Sequence, residues 1–411
     1  MISSYPLSQI RQQFPALRTG GALFDGPGGT QTPTAVADAI RDTMVSPVSQ
    51  RGRNNHGEQT ADRIVRAGRQ AIGDLLNVDP RAVFFGRSAT QITFDVARAI
   101  ARNLTSEHEI VASRLDHDAN VRPWVMAATL SGATLRWIDF DRETGDLTVE
   151  DVRRVLSDRT KIVAVTAASN LYGTAPDIAA ISEAVHAVGA DIYVDAVAYT
   201  AHELVDATAL GADYIVCSPY KFCGPHIGVL GSSVEKLEAL VPDKLRPSTM
   251  QVPERFELGT LPYEFIAGVT ATVDFLAGII PGNGSRRERL ARSYAAVKQH
   301  EEALFDRLIA GLTSIPGVDR VGDPKNHVPT ALFRINGWTV ADACAELGRA
   351  DIAVMGGSFY ASEAEDWADL GEGAIRAGIA PYTSIEDVDH LIHNVRLLAG
   401  CADTYRQKEA Q

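Results

Sequence analysis

The sequence of 411 residues contains no uninterrupted apolar stretch approaching roughly 20 residues, the length that crosses a bilayer, so we expect no membrane span. Its first residues lack a basic region followed by an apolar core, so we expect no secretory signal and a cytoplasmic location. Cysteine is scarce as well. The four cysteines are scattered without metal-ligand spacing, which favours reduced thiols and predicts no metal site: Cys217, Cys223, Cys344 and Cys401.

Positive charge is also in deficit. The chain has 39 Lys and Arg residues against 52 Asp and Glu residues, a net charge of −13. This balance argues against nucleic acid or an anionic membrane as the main partner. An apolar content of 45% with 22% charged residues is typical of a globular protein, and the length allows one large domain and a smaller one.

Apolar runs of strand length alternate with helix-like segments through the first two thirds of the chain. This alternation predicts an α/β fold with a mainly parallel sheet and helices on both faces. Such sheets bind ligands at the carboxyl ends of their strands. The predicted strands are residues 82–85, 110–112, 134–138, 162–165, 192–194 and 214–216.

A turn-rich cluster at residues 281–285 predicts a domain boundary. A long helical pattern follows, and then short strands and helices of a smaller α+β domain, with strands at 331–335, 352–355 and 374–377. Ser384 is a predicted helix N-cap. The division we expect is an N-terminal segment packing on the small domain (1–20), a large domain (21–285) and a small C-terminal domain (286–411).

Lys221 and Asp195 each follow a predicted strand. Lys221 lies in a Ser-x-x-Lys sequence that begins at Ser218, and Asp195 ends the strand before it. This arrangement can place an amine and a carboxylate around one flat cationic cofactor. Pyridoxal 5'-phosphate fits, because a lysine forms its Schiff base and an aspartate keeps its pyridine nitrogen protonated.

Small and hydroxyl-bearing residues occur where a phosphate would lie. At residues 86–91 a strand ends and a helix begins, so backbone N–H groups and Thr90 can meet an anion, although an ordinary N-cap is the alternative. Ser218 and Tyr220 supply two further hydroxyls, and they favour a phosphate cup.

Three more side chains are candidates, each with a plainer alternative. His117 follows a strand and can stack on a pyridine ring, or it is simply a surface or core residue. Asn170 can donate to the cofactor phenolate or the substrate carboxylate, or it is a turn residue. Arg376 can clamp a carboxylate, or it forms a surface ion pair.

Together these segments resemble the class V aminotransferase superfamily of fold-type-I pyridoxal-phosphate enzymes, and the nearest pattern is its cysteine-desulfurase-like branch. The resemblance rests on six blocks in order: residues 24–31, 115–120, 168–170, 194–197, 218–226 and 376–378. It implies a large cofactor-binding domain with a mainly parallel sheet and a smaller α+β domain.

The resemblance also implies roles for individual residues. Lys221 would form the Schiff base and move the α-proton, Asp195 would pair with the ring nitrogen, and His117 would stack on the ring. The phosphate would be held by the backbone of Ala89 together with Thr90, Ser218 and Tyr220. The substrate carboxylate would be oriented by Asn170 and Arg376.

Two further segments gain an interpretation from the same resemblance. Residues 256–260, with Gly259 and Thr260, would reach the phosphate of a neighbouring subunit, which implies a homodimer with active sites at the interface. The loop containing Arg53 and His56 would lie near the substrate mouth.

Two departures from the family pattern bear on the reaction. Cysteine desulfurases need a mobile cysteine to accept sulfur as a persulfide, and the corresponding residues 355–361 contain none. Relatives usually carry Gln or His where this chain has Ala198, so a donor to the cofactor phenolate is missing.

The expected substrate is an S-substituted cysteine, and the expected reaction is C–S β-elimination to a thiol, pyruvate and ammonia. Decarboxylation coupled to oxidative deamination is an alternative, by analogy with sulfur-containing natural products such as lincosamides, and so with secondary metabolism. Epimerisation, transamination and an inactive scaffold on the same fold also stay open.

Overall fold

The computed structural model describes residues 5–401. Within them the strands are β1 (Ala22–Leu23), β2 (Val83–Gly86), β3 (Glu109–Ser113), β4 (Thr134–Ile138), β5 (Thr160–Thr166), β6 (Asp191–Asp195), β7 (Tyr214–Cys217), β8 (Gly228–Ser232), β9 (Val318–Arg320), β10 (Thr330–Ile335), β11 (Ile352–Ala353), β12 (Met355–Gly357) and β13 (Ala374–Gly378).

The helices alternate with these strands. They are α1 (Leu7–Gln12), α2 (Thr34–Met44), α3 (His56–Leu76), α4 (Ala89–Ala101), α5 (Arg122–Ser131), α6 (Val149–Arg153), α7 (Ile178–Ala187), α8 (Val234–Glu238), α9 (Tyr263–Gly278), α10 (Arg286–Thr313), α11 (Val340–Arg349), α12 (Ser362–Ala368) and α13 (Ile385–Gly400).

The central sheet has seven strands in the order β2-β8-β7-β6-β5-β3-β4. All neighbouring pairs are parallel except those that involve β8, which runs antiparallel to both β2 and β7. The predicted mainly parallel sheet is therefore confirmed. Because β2 lies parallel to β7, the carboxyl ends of β2, β3, β5, β6 and β7 share one edge.

Both faces of this sheet are buried. Alternate residues of each strand enter two different apolar clusters, as Val194 and Tyr193 do on β6. Helices cover each face, which explains why the strands read as nearly continuous apolar runs rather than as alternating ones. The six strands predicted for this sheet are all found within a few residues of their expected bounds.

A second, antiparallel sheet has the order β12-β13-β10-β9 and packs with α10, α11 and α13 around a third apolar cluster. The single strand predicted at 352–355 is wrong. The chain there forms β11, which pairs parallel with β1, and then β12, which pairs antiparallel with β13, because its two halves have different partners. Strand β8, which contains two glycines, was not predicted.

The N-terminal segment contacts the C-terminal part of the chain. The Tyr5 hydroxyl donates to the Pro381 carbonyl at 2.8 Å, and Arg11 pairs with Asp387 at 2.7 Å. Residues 22–23, which we had assigned to the large domain, pair with β11. The domain division stays a prediction, and its residues 1–4 and 402–411, with the polar end from Asp403, lie outside the described residues.

The predicted cap of α13 is present, since the Ser384 hydroxyl accepts a hydrogen bond from the Asp387 N–H at 3.2 Å. No helix in residues 5–401 is both long and apolar enough to span a bilayer.

Candidate active site

Five strands deliver polar residues to the same edge of the central sheet. Strand β6 ends on Asp195, and the chain after β7 turns through Ser218 into a short 3-10 helix that carries Lys221. His117 follows β3 and Asn170 follows β5, while β2 leads into α4. The edge predicted to bind a ligand therefore gathers most of the predicted site residues.

A cavity of about 570 Å³ opens at this edge. Eight of the predicted residues line it, together with Ala198 and a few neighbours: Ala89, Thr90, His117, Asn170, Asp195, Ser218, Tyr220 and Lys221. Arg376 is joined to this group through Asn170, whose carbonyl accepts a hydrogen bond from Nη1 at 2.8 Å.

Lys221 points its amine into the site. Nζ donates to the carbonyls of Pro27 and, at 3.1 Å, of Gly28. Burial, and to a smaller extent the positive charge of Arg376, lowers the pKa of Lys221 to about 8 against the opposing effect of Asp25 and Asp195. A substantial fraction of the amine is thus neutral and nucleophilic near pH 8.

Asp195 is almost completely buried at the bottom of the cavity. One carboxylate oxygen accepts a hydrogen bond from the Val197 N–H at 2.8 Å. Burial raises the pKa of Asp195 to about 6, while that hydrogen bond and the charge of Lys221 oppose the rise. A buried carboxylate with so few partners favours a cationic group beside it.

The first turn of α4 faces the same cavity through Ala89 and Thr90. Ser88 caps this helix by accepting from the Gln91 N–H at 3.1 Å, so the cap we considered for this segment is present. The first N–H groups of a helix have no partner within it and can bind an anion. At Gly228 the chain passes so close that a Cβ would lie 2.2 Å from the Ser88 carbonyl carbon.

His117 is held in one tautomer. Its Nδ1 accepts a hydrogen bond from the Ala119 N–H at 3.0 Å, so the neutral ring carries its proton on Nε2. Burial lowers the pKa of His117 to about 4, and the charge of Lys221 acts in the same direction. The ring is neutral at pH 7.

Asn170 and Arg376 present unused polar atoms. Among the described residues, Asn170 Oδ1 and Arg376 Nε are buried and have no hydrogen-bond partner. Arg376 is 3% exposed, and its one carboxylate partner is Asp25, at 3.4 Å. Burial lowers the pKa of Arg376 to about 10 and raises that of Asp25. Such a buried, incompletely paired guanidinium favours a bound carboxylate.

Sequence reasoning missed three residues of this site. Asp25 lies in the first of the six matching blocks, residues 24–31, but its pairing with Arg376 joins positions 351 residues apart. Phe359 places its ring 3.7 Å from the Arg376 guanidinium carbon, and Tyr360 stacks near His117 with ring centroids 5.7 Å apart. Only the absence of cysteine marked their segment in the sequence.

Besides Arg376, which reaches the cavity only through Asn170, four predicted residues do not line it within this chain. Arg53, His56, Gly259 and Thr260 are all exposed. Their two segments meet each other, because Gln50 Nε2 donates to Thr260 Oγ1 at 2.9 Å. Their roles, which involve a neighbouring subunit for Gly259 and Thr260, stay predictions.

A family model described as Aminotransferase class-V matches residues 22–391. The chain belongs to this family. The chain is 31% identical over 398 residues to an uncharacterized protein of Mycobacterium tuberculosis, and the match covers 95% of this chain and 98% of the relative. It is 30% identical to a probable cysteine desulfurase of Pseudomonas aeruginosa, covering 93% and 96%.

Solved structures agree with this assignment. The cysteine desulfurase CsdA of Escherichia coli matches with a TM-score of 0.83 and 25% identity, covering 96% of this chain and 98% of that chain. The protein is therefore a cysteine-desulfurase-like enzyme of the class V aminotransferase family with the fold-type-I architecture.

Class V aminotransferases use pyridoxal 5'-phosphate, and the cavity fits this cofactor. Lys221 would bind its aldehyde and the buried Asp195 its ring nitrogen, while His117 borders the same space. The unpartnered N–H groups of the first turn of α4 would hold the phosphate, with hydroxyls from Thr90, Ser218 and Tyr220. Asn170, whose Oδ1 has no hydrogen-bond partner, lines the same cavity.

Proposed function

We propose that this enzyme cleaves the C–S bond of an S-substituted cysteine by β-elimination. The observation that carries the proposal is the composition of residues 355–361, which lie against Arg376 and His117 and contain Phe359 and Tyr360 but no thiol. Sulfur transfer to the protein needs a reactive cysteine at that place. Release of a free thiol does not.

The cysteines elsewhere support this view. Burial raises the pKa of the Cys223 thiol to about 12 and also raises that of Cys217, which makes both unreactive. Cys344 lies in α11, and burial raises its pKa to about 11. Cys401 is exposed just after α13 and does not line the cavity.

The proposed reaction assigns a residue to substrate binding, to removal of the α-proton and to departure of the sulfur. Arg376 binds the substrate carboxylate by donating its free buried Nε–H, and Asn170 donates to it from its Nδ2 amide group. The bound cofactor supplies an electron sink that stabilises negative charge at the α-carbon. Lys221 accepts the α-proton, the Cβ–S bond breaks, and sulfur leaves with its electron pair near the Nε2–H of His117. The three-carbon remainder is hydrolysed to pyruvate and ammonia.

We also propose that the enzyme is a homodimer. The exposed segment 258–260 carries Gly259 and Thr260, and it follows Glu257, whose buried carboxylate pairs with Arg69 at 2.7 Å. An exposed loop fixed in this way is suited to complete the phosphate site of a second subunit.

The test is product analysis with a panel of S-substituted L-cysteines. The proposal expects free thiol and pyruvate in equal amounts from the purified holoenzyme, and neither from a Lys221→Arg variant, which keeps the charge but lacks the amine. An aldehyde with carbon dioxide and oxygen uptake would indicate oxidative decarboxylation instead. An inverted α-centre would indicate epimerisation, and alanine from free cysteine would indicate desulfuration.

A further inference from the structure

Phe359 and Tyr360, which we call the aromatic cap, adopt an unusual backbone. Their φ angles are 56° and 58°, so two consecutive bulky residues occupy the left-handed region. This conformation is unfavourable for residues with a Cβ and is uncommon outside glycine and asparagine.

Hydrogen bonds from the active site hold the cap in this shape. Asn170 Nδ2 donates to the Phe359 carbonyl at 2.8 Å, and the Asp118 N–H donates to the Tyr360 carbonyl at 2.7 Å. Both donors belong to loops that follow strands of the central sheet. Strain that is maintained by the active site itself points to a function there.

The two rings have different surroundings. The Phe359 ring covers the Arg376 guanidinium at 3.7 Å and so forms one wall of the carboxylate site. The Tyr360 ring lies beside His117, inclined by 29°, and yet the residue is 76% exposed. Tyr360 therefore adds a free aromatic surface next to the ring that borders the cofactor cavity.

Charges beside this surface are paired. Asp118 lies 3.1 Å from Arg122, and Glu363 lies 2.9 Å from Arg114. Asp118, whose N–H binds the Tyr360 carbonyl, and Glu363, which follows Tyr360 by three residues, are therefore both already paired with an arginine. A planar, uncharged group would instead gain contact with the exposed ring.

We propose that Tyr360 is a specificity-determining residue that receives an uncharged aromatic group carried on the substrate sulfur. This inference rests on the proposed function, because it assumes that the carboxylate binds at Arg376 and that the side chain extends past the cap. It goes further by naming the class of substituent: an arylmethyl or similar aromatic thioether rather than a small alkyl or charged one.

The test measures binding separately from turnover. The probes are two amino acids in which methylene replaces sulfur, so that neither can eliminate: 2-amino-5-phenylpentanoate, which corresponds to S-benzylcysteine, and 2-aminopentanoate, which corresponds to S-methylcysteine. Their dissociation constants are obtained with the holoenzyme by titrating the absorption band of the bound cofactor. We expect the phenyl compound to bind about tenfold more tightly, and Tyr360→Ala to remove most of that preference.

Two variants separate a ring contact from mere apolar area and from a damaged loop. Tyr360→Phe should keep the roughly tenfold preference for the phenyl compound. Tyr360→Leu, which is apolar but not aromatic, should reduce that preference to about threefold. Binding of 2-aminopentanoate should change less than twofold in all three variants.

The inference is overturned if wild type binds both probes equally, or if Tyr360→Ala weakens both to the same extent. The proposed function fails independently, and in a different assay, if S-benzylcysteine and the other thioethers give no pyruvate while the binding preference is intact.

Discussion

Lys221 and Arg376 are two cations in one buried site, and their repulsion bears on reactivity. Burial is the largest cause of the low pKa of Lys221, and the charge of Arg376 is the second. The guanidinium that we expect to bind the substrate carboxylate thus also helps to keep the lysine neutral. When a carboxylate binds at Arg376, part of that repulsion is neutralised.

This coupling gives a prediction for cofactor reloading. The amine must be neutral to attack an aldehyde, so the rate at which apoenzyme gains its yellow colour should rise as pH increases through about 8. Arg376→Gln removes the repelling charge, raises the pKa of Lys221 and should move the midpoint to higher pH. A rate profile with an unchanged midpoint in this variant would contradict the coupling.

Asp195 gives a second prediction from its pKa of about 6. Only the ionised carboxylate pairs with a protonated ring nitrogen, so cofactor affinity should increase as pH rises through about 6 and fall as pH drops below it. Asp195→Asn is the reference, because the cofactor phosphate itself titrates in this range. Equilibrium dialysis of both proteins between pH 5 and 8 checks the prediction, and identical pH dependence would refute it.

At the scale of elements, the loops that follow the strands of the central sheet position the site residues. They also hold the aromatic cap in a strained backbone conformation, which lowers the stability of the fold. The loops after β3 and β5 hold Phe359 and Tyr360 through one hydrogen bond each. A residue with a Cβ in the left-handed conformation destabilises the folded state by about 1–2 kcal/mol. Glycine avoids this strain, but its greater freedom in the unfolded chain cancels about half of the gain. The cap therefore trades stability for an exposed aromatic surface.

We accordingly expect Tyr360→Gly to raise the free energy of unfolding by about 0.5–1 kcal/mol while abolishing the preference for the phenyl probe. Met126→Gly is the control: Met126 is also an exposed large side chain, but it lies within helix α5, where glycine should cost about 1 kcal/mol. Urea unfolding followed by circular dichroism gives both values. A loss of stability in Tyr360→Gly comparable to the control would contradict the strain argument.

At the scale of the whole molecule, the phosphate site is the place where a second subunit matters. Thr260 is exposed in the single chain and contacts Gln50. In the proposed homodimer it lies beside the phosphate of the partner's cofactor. A substitution of Thr260 should therefore change cofactor affinity in a dimer but not in a monomer.

We expect a mass near twice 44.2 kDa by sedimentation. Thr260→Glu should leave folding intact but weaken cofactor affinity about tenfold, since it places a negative charge near a phosphate. Thr129→Glu, at an exposed position of α5, should have no such effect. A monomeric mass, or equal cofactor affinity in both variants, would argue against a shared site.

Much of this arrangement could be predicted from sequence because the relevant information is local. Each predicted strand of the central sheet is an apolar run, and Asp195 and Lys221 stand at strand ends where parallel topology brings them together. The break between β11 and β12 could not be predicted, because it depends on which strands each half pairs with. The antiparallel β8 was missed because its glycines weaken a strand pattern.

The aromatic cap shows the same limit within the site. Phe359 and Tyr360 join residues that are far away in the chain, as in the bond between Asn170 and the Phe359 carbonyl across 189 positions. Nothing in the local sequence indicates a left-handed pair. The missing cysteine identified the segment, and the tertiary structure was needed to show what replaces it.

The central claim is that Lys221 carries the cofactor. Borohydride reduction of the yellow holoenzyme, followed by peptide mass spectrometry, tests it directly. The account predicts one reduced pyridoxal-phosphate adduct per chain, located on Lys221 and absent from Lys221→Ala. An adduct on a different lysine, or the same yield of adduct from Lys221→Ala, would contradict it.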